Sequence, residues 1–201
     1  MSILTDKAAA FAHAAHAAAG HKRKYTGEDY IVHPYNVSSR VASVTNDENM
    51  IAAAWLHDVV EDTRIDLGMI AYFFGDPVAA LVHECSHIDH ANDPRKLSRF
   101  ERMAIELARA ADISPQAKTI KLADLLDNTA SIAEHDPKFA KVYMAEKRRL
   151  ISVLIGGDER LWREAASQVE AYYQKTTDAT AWPTMPGLPA PMGCASRPCA
   201  V

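Results

Sequence analysis

Cysteine is scarce: Cys85, Cys194 and Cys199 are the three in 201 residues, an odd number and widely spaced. That excludes a disulfide framework and fits a reducing, cytoplasmic setting. No run of apolar residues reaches the length of a membrane-spanning helix, which excludes a transmembrane segment. Alanine fills nine of positions 8–19, but Asp6 and Lys7 precede the run and His13 and His16 interrupt it. A strongly apolar secretory leader is therefore absent, and the stretch reads as a helix. Positive charge is not in excess either: 22 basic residues stand against 26 acidic ones, a formal net charge of −4. A strongly basic nucleic-acid binder is excluded on that balance. No segment alternates polar and apolar residues for long enough to read as a strand, and no internal repeat is visible. What remains is an ordinary globular composition, 48% apolar, in a chain long enough to bury one sizeable core.

Helical signals recur along the chain. Residues 3–19 form a helix on alanine propensity alone. A polar stretch from Gly20 to about Asp29 follows, and His33-Pro34 reads as a helix start with Pro34 in the first position. That helix is expected to run to about Thr45. Asn46 or Asp47 can cap the next, which repeats Ile51, Trp55, Val59 and Ala52, Leu56, Val60 at four-residue spacing. Asp76-Pro77, Ser114-Pro115 and Asp136-Pro137 each place a capping oxygen before a proline, and Gly156-Gly157-Asp158 ends one helix and begins another. The expected class is all-α, a single bundle of about eight helices. Five of the ten prolines fall in residues 176–201, which reads as a Pro-rich, flexible C-terminal tail.

The informative segment is His57-Asp58-Val59-Val60-Glu61-Asp62. On a continuous helix the four polar side chains share a sector of roughly 140°. Three carboxylates and an imidazole on one partly buried face repel each other and are costly to desolvate, and a divalent cation compensates. His33, at a loop-to-helix junction, and Asp124, on a helix with an apolar opposite side, extend the set. Asp124 shares a face with Asn128 four residues on and with Lys121 three residues before. Mixed nitrogen and oxygen donors suit Mn²⁺, Fe²⁺ or Zn²⁺ and suit Ca²⁺ poorly. Open coordination positions would leave room for water and for an anionic substrate oxygen.

His33, His57-Asp58 and Asp124 at these separations resemble the HD-domain metal-dependent phosphohydrolases. Arg23-Lys24, Gly27 to Pro34, Leu56 to Thr63, and Lys121 to Asp124 with Asn128 narrow the resemblance to the hydrolase domain of RelA/SpoT-type alarmone enzymes. It covers roughly residues 5–155, within an expected HD-type hydrolase domain spanning 1–175 and followed by the tail 176–201. The resemblance implies removal of the 3′-pyrophosphate from guanosine tetra- or pentaphosphate, with Mn²⁺ as the metal. It implies His33, His57, Asp58 and Asp124 as ligands, and Glu61 and Asp62 as the acidic pair that positions and activates water. It further implies Arg23 against the purine, Lys24 near the phosphates and Asn128 lining the nucleotide pocket. The residues do not choose between Glu61 and Asp62 as the base. Two alternatives stand beside this: an HD-type hydrolase acting on a deoxynucleotide or nucleoside monophosphate, and a non-catalytic nucleotide-binding protein. The chain departs from the family pattern at Asp29, where the larger enzymes carry proline, and at Leu125 and Asp127. Asp127 adds a negative charge beside a site for a polyanion.

Other features have plainer readings. His83, Cys85 and His87, with His90, have partial zinc spacing, but histidines at a helix C-terminus also suit the helix dipole. Arg99 and Arg102, in the run Arg95-Lys96-Arg99-Arg102, are one turn apart and placed to flank a polyphosphate. Trp162, Tyr172 and Tyr173 on the last helix are apolar surface for the domain or for a second copy in a homo-oligomer. Neither a nucleic-acid nor a membrane partner is expected.

Overall fold

The computed structural model describes residues 2–86 and 96–175, the side chain of Ser131 aside. Among these residues there are ten helical segments: α1 (Ile3–Ala19), α2 (Val32–Ala42), α3 (Glu48–Leu56), α4 (Val59–Asp62), α5 (Leu67–Phe74), α6 (Asp76–Cys85), α7 (Arg99–Asp112), α8 (Pro115–His135), α9 (Pro137–Val153) and α10 (Glu159–Lys175). The described residues form no strand, only one isolated antiparallel bridge between Lys22 and Asp29. The all-α expectation holds. The tail, with Cys194 and Cys199, and the stretch holding His87, His90 and Arg95 lie outside the described residues.

Two helices organise the bundle. α3 packs on α1, α2, α6 and α8, and α8 packs on α2, α3, α6, α9 and α10. Small residues let α1 and α3 approach closely: α1 buries Thr5, Ala8, Ala12 and His16 along one stripe, and α3 buries Ala52, Ala53 and Ala54. α8 is buried almost all round, by Ile120, Leu122, Ala123, Leu125 and Leu126, as befits a helix covered on several sides. Leu125, a departure from the family pattern, is thus a core residue.

Capping follows the sequence at most ends. Ser2 makes a capping box with Thr5, and Asp47, Ser114 and Asp136 each accept from backbone N–H groups of the helix they precede. Asp158 accepts from the Leu161 N–H at 3.0 Å. Gly157 sits where a Cβ would come within 3.0 Å of Leu122 Cδ1 and 3.1 Å of the Lys118 backbone, so α8 and the turn before α10 meet through a bare backbone.

Three local expectations are corrected. α2 begins at Val32 and ends at Ala42. Pro34 is its third residue, still within the first turn, where the missing N–H has no intrahelical partner in any case. Asp76 is the first residue of α6 and gives no side-chain cap; Gly75, at φ 88°, precedes it. The helix expected through residues 57–62 is interrupted: α3 stops at Leu56 and α4 starts at Val59. The Ala54 carbonyl, the partner a continuous helix would give to the Asp58 N–H, takes His57 Nδ1 at 2.8 Å.

Candidate metal centre

The break between α3 and α4 sets the site. A carbonyl oxygen carries no proton, so His57 Nδ1 is the donor to Ala54, and Nε2 is the ring nitrogen left for another partner. His33, in the first turn of α2, is fixed the same way from another side. Its Nδ1 lies 2.6 Å from Asp127 Oδ2 on α8. One donor atom from each of His33, His57 and Asp58 lies within 4.8 Å of the others. His33 Nε2 is 3.4 Å from Asp58 Oδ2 and 3.2 Å from Asp124 Oδ1, while His57 Nε2 is 3.3 Å and 3.9 Å from the same two oxygens.

Those Nε2 atoms decide what the cluster suits. Both are buried and neither has a hydrogen-bond partner. Two buried imidazole nitrogens without partners, aimed at two carboxylates, form a donor set that accepts a divalent cation. The electrostatics point the same way. Burial works against a charge on His33, but the Asp124, Asp127 and Asp58 carboxylates around its ring outweigh that and push its pKa up to about 11. Burial likewise opposes ionisation of Asp58 and Asp124, and the surrounding imidazoles hold both carboxyls well below the usual range. The pocket thus carries concentrated negative charge that the proton on His33 balances. A cation competes with that proton for the Nε2 lone pair.

Around this centre the chain supplies further contacts. Tyr30 donates its hydroxyl to Asp58 Oδ2 at 2.6 Å, and Asn128 donates to Asp124 Oδ1 at 2.6 Å. Asn36 donates to Asp127 Oδ1 at 2.8 Å. Arg23 lies over the same corner, with Nη2 2.9 Å from Asp127 Oδ2 and Nη1 donating to Asn128 Oδ1 at 3.4 Å. The structure therefore brings together His33, His57, Asp58, Asp124, Arg23 and Asn128. Glu61 and Asp62 are on α4, directly after the break. Burial, then the nearby Asp58 charge, raises the Asp62 carboxyl above its ordinary value. Lys24 is exposed, its ammonium 4.9 Å from the Tyr25 ring centroid and 5.7 Å from that of Phe139.

Asp127, Tyr30 and Asn36 are the residues sequence reasoning missed. Asp127 was read as a negative charge beside a polyanion; the structure turns it inward onto His33 and Arg23. Its spacing, three residues beyond Asp124 on one helix, was the available signal. Two rival features are spent elsewhere. Arg99 makes a two-point contact with Glu146, at 2.6 Å and 2.9 Å, and Arg102 donates to the Leu97 carbonyl at 2.7 Å. Cys85 is buried while His83 is exposed, and no metal-holding group among the described residues includes either. Asp29, the other departure, pairs with Lys22 at the surface.

Comparison with known proteins places the chain in a family. The chain is 34% identical over 155 residues to a probable guanosine-3′,5′-bis(diphosphate) 3′-pyrophosphohydrolase of Synechocystis sp., a match covering 75% of this chain and 20% of that protein. It is 38% identical over 110 residues to the guanosine-3′,5′-bis(diphosphate) 3′-pyrophosphohydrolase MESH1 of Drosophila melanogaster, covering 54% of this chain and 58% of that protein. The match thus spans less than two thirds of either relative's length. The fold resembles a solved metazoan ortholog of SpoT, described as hydrolyzing ppGpp and playing a role in starvation responses. That likeness has a TM-score of 0.73 at 27% identity and covers 88% of this chain and 97% of the other. A family model described as the HD domain matches residues 8–153, the region that carries every residue of the centre. With the His-Asp pair of the α3–α4 break and the Asp of α8 converging as they do, the chain belongs to the HD domain family.

Proposed function

We propose that this chain is a metal-dependent phosphohydrolase that removes the 3′-pyrophosphate from guanosine tetra- or pentaphosphate. The observation that carries the reading is the pair of buried, unpartnered Nε2 atoms of His33 and His57 facing the Asp58 and Asp124 carboxylates. Supporting it are the relatives, which are named for that reaction. In this reading His33, His57, Asp58 and Asp124 hold the ion, with Mn²⁺ the expected one. When bound, the ion supplies charge neutralisation at the phosphate and acidification of water.

The remaining work falls to the chain's own side chains. Glu61 and Asp62 orient the attacking water and take its proton. Asp62, whose carboxyl is already raised in pKa, is the better proton acceptor of a pair flanking one water. Arg23, planar and able to stack, lies against the purine, and Asn128 beside it lines the nucleotide pocket. Lys24, exposed at the rim, offsets phosphate charge. Asp127 and Tyr30 do not touch substrate in this scheme. They hold the His33 ring and the Asp58 carboxylate in place.

The test is turnover of guanosine tetraphosphate by the full chain with added Mn²⁺, products resolved by chromatography, beside an Asp58→Ala control. Release of pyrophosphate and guanosine diphosphate, lost in the variant, is the expected result. No turnover by folded, metal-loaded protein would remove the alarmone assignment.

A further inference from the structure

His16 is the last residue of the buried stripe on α1 and is 1% exposed. Both of its ring nitrogens lack a hydrogen-bond partner. A histidine buried with two unsatisfied polar atoms is costly unless something meets them. Its neighbours show what meets one of them. Gly20, at φ 69°, ends α1 in the left-handed conformation, with its N–H bonded to the Ala17 carbonyl at 3.1 Å and the next N–H, of His21, bonded to the His16 carbonyl at 3.1 Å. This helix-ending motif folds His21 back beside His16, so the sequence His-Ala-Ala-Ala-Gly-His itself brings the two imidazoles together. Their ring centroids are 6.0 Å apart. Asp62 closes the third side from α4, its Oδ2 3.9 Å from His21 Nδ1. One donor atom from each of the three residues lies within 4.8 Å of the others.

We propose that His16, His21 and Asp62 form a second divalent-metal site, for a late first-row ion such as Zn²⁺, beside the centre held by His33, His57, Asp58 and Asp124. Two imidazoles and one carboxylate are a donor set these ions accept, with positions left open for water or a substrate oxygen. Ligand atoms around one such ion stand roughly 3.3–4.2 Å apart, and the three donor atoms here lie within 4.8 Å of one another, so closure needs a shift of about 1.5 Å at most. His21 and Asp62, with side chains each 34% exposed, have the freedom to make it. Tyr30 is the partition between the two centres: its ring centroid is 4.7 Å from that of His16 and 5.7 Å from that of His33, and its hydroxyl is on Asp58. Asp62 is common to this site and to the proposed acidic pair; an ion bound here takes its carboxylate and leaves Glu61 as the proton acceptor of that pair.

The experiment is equilibrium dialysis of the chelator-stripped full chain against Co²⁺, with bound metal counted and the visible absorption of the ion recorded. About two ions per chain are expected in the natural sequence, and about one in His21→Ala and in His16→Phe, each with loss of part of the Co²⁺ spectrum. His21 is on a loop, so His21→Ala retains its helical circular dichroism; His16→Phe keeps ring volume in the core. An Asp124→Ala variant separates the sites. Metal that persists in Asp124→Ala and vanishes on adding His21→Ala belongs to the second site, and supports it whatever becomes of the first. A single ion unaffected by His21→Ala and lost in Asp124→Ala overturns the second site and leaves the first standing. No bound ion in the natural sequence overturns both.

Discussion

Asp127 Oδ2 lies 2.6 Å from His33 Nδ1, and the same carboxylate is held by Asn36 at 2.8 Å and by Arg23 at 2.9 Å. A carboxylate on the far nitrogen of a ligand histidine fixes the ring's orientation and leaves Nε2 for the metal. In the proposed scheme Asp127 is therefore a positioning residue for His33, and it joins the candidate metal centre to Arg23, the residue proposed to lie against the purine.

Asp127→Asn keeps the shape and removes the charge. It is expected to weaken Mn²⁺ binding by about 10–100-fold, the usual cost of losing such a partner. Measured metal affinity checks this directly, and excess Mn²⁺ is expected to restore much of the activity. A variant that loses activity while binding Mn²⁺ normally would show that Asp127 acts on something other than His33.

Arg23 spans two acceptors, Asp127 Oδ2 and Asn128 Oδ1, with its two terminal nitrogens. A lysine cannot span both, nor stack flat on a purine. Arg23→Lys is therefore expected to raise KM for guanosine tetraphosphate by about 10-fold with a smaller change in kcat, since it removes binding common to ground and transition states. Steady-state kinetics at saturating Mn²⁺ separate this from the Asp127 effect. A kcat loss with unchanged KM would place Arg23 in the chemistry instead.

Much of this was legible in residue order. Alanine runs, capping Ser and Asp residues and X-Pro starts mark helices by local chemistry, and local chemistry prevailed at Asp47, Ser114 and Asp136. The ligand candidates were legible because charge is conspicuous against an apolar helix face. The break at His57-Asp58 was not. It depends on an imidazole claiming a main-chain carbonyl, a competition that helical periodicity does not register. Asp127 was seen but misjudged, because its value depends on which way α8 faces α2, and α2 is remote in sequence. Tyr30 and Asn36 are ordinary polar residues until Asp58 and Asp127 are brought to them by the fold.

Lys121 shows how the scaffold beneath the site is held. It is 8% exposed, and its ammonium donates to the Cys85 carbonyl at the end of α6, at 2.7 Å. Lys121→Met preserves the apolar stem and leaves that carbonyl without its donor. A loss of about 1–3 kcal/mol is expected, the cost of an unsatisfied buried polar group. In urea this reads as a lower midpoint with an unchanged slope. A midpoint equal to that of the natural sequence would mean the carbonyl finds another partner.

Cys85 carries the clearest pH signature outside the metal centre. Its side chain is buried at the α6–α8 contact, with Sγ 3.9 Å from the Ala117 carbonyl, and burial pushes the thiol pKa from 9.0 up to about 12. The sign follows from which state holds the proton. Above pH 9 the unfolded chain loses the thiol proton while the folded chain keeps it, so stability is fully present below pH 9 and declines as pH rises toward 12. The slope from this group is at most about 1.4 kcal/mol per pH unit. Cys85→Ala is expected to flatten that part of the alkaline decline, after an offset from lost packing that is the same at every pH. The thiol offers a second readout. In a chain with Cys194→Ser and Cys199→Ser, Cys85 at pH 8 is expected to react with a disulfide reagent about a thousandfold more slowly when folded than in denaturant, from the thiolate fraction alone. Equal rates in the two conditions would place Cys85 at the surface and remove the lowered dielectric on which the shift rests.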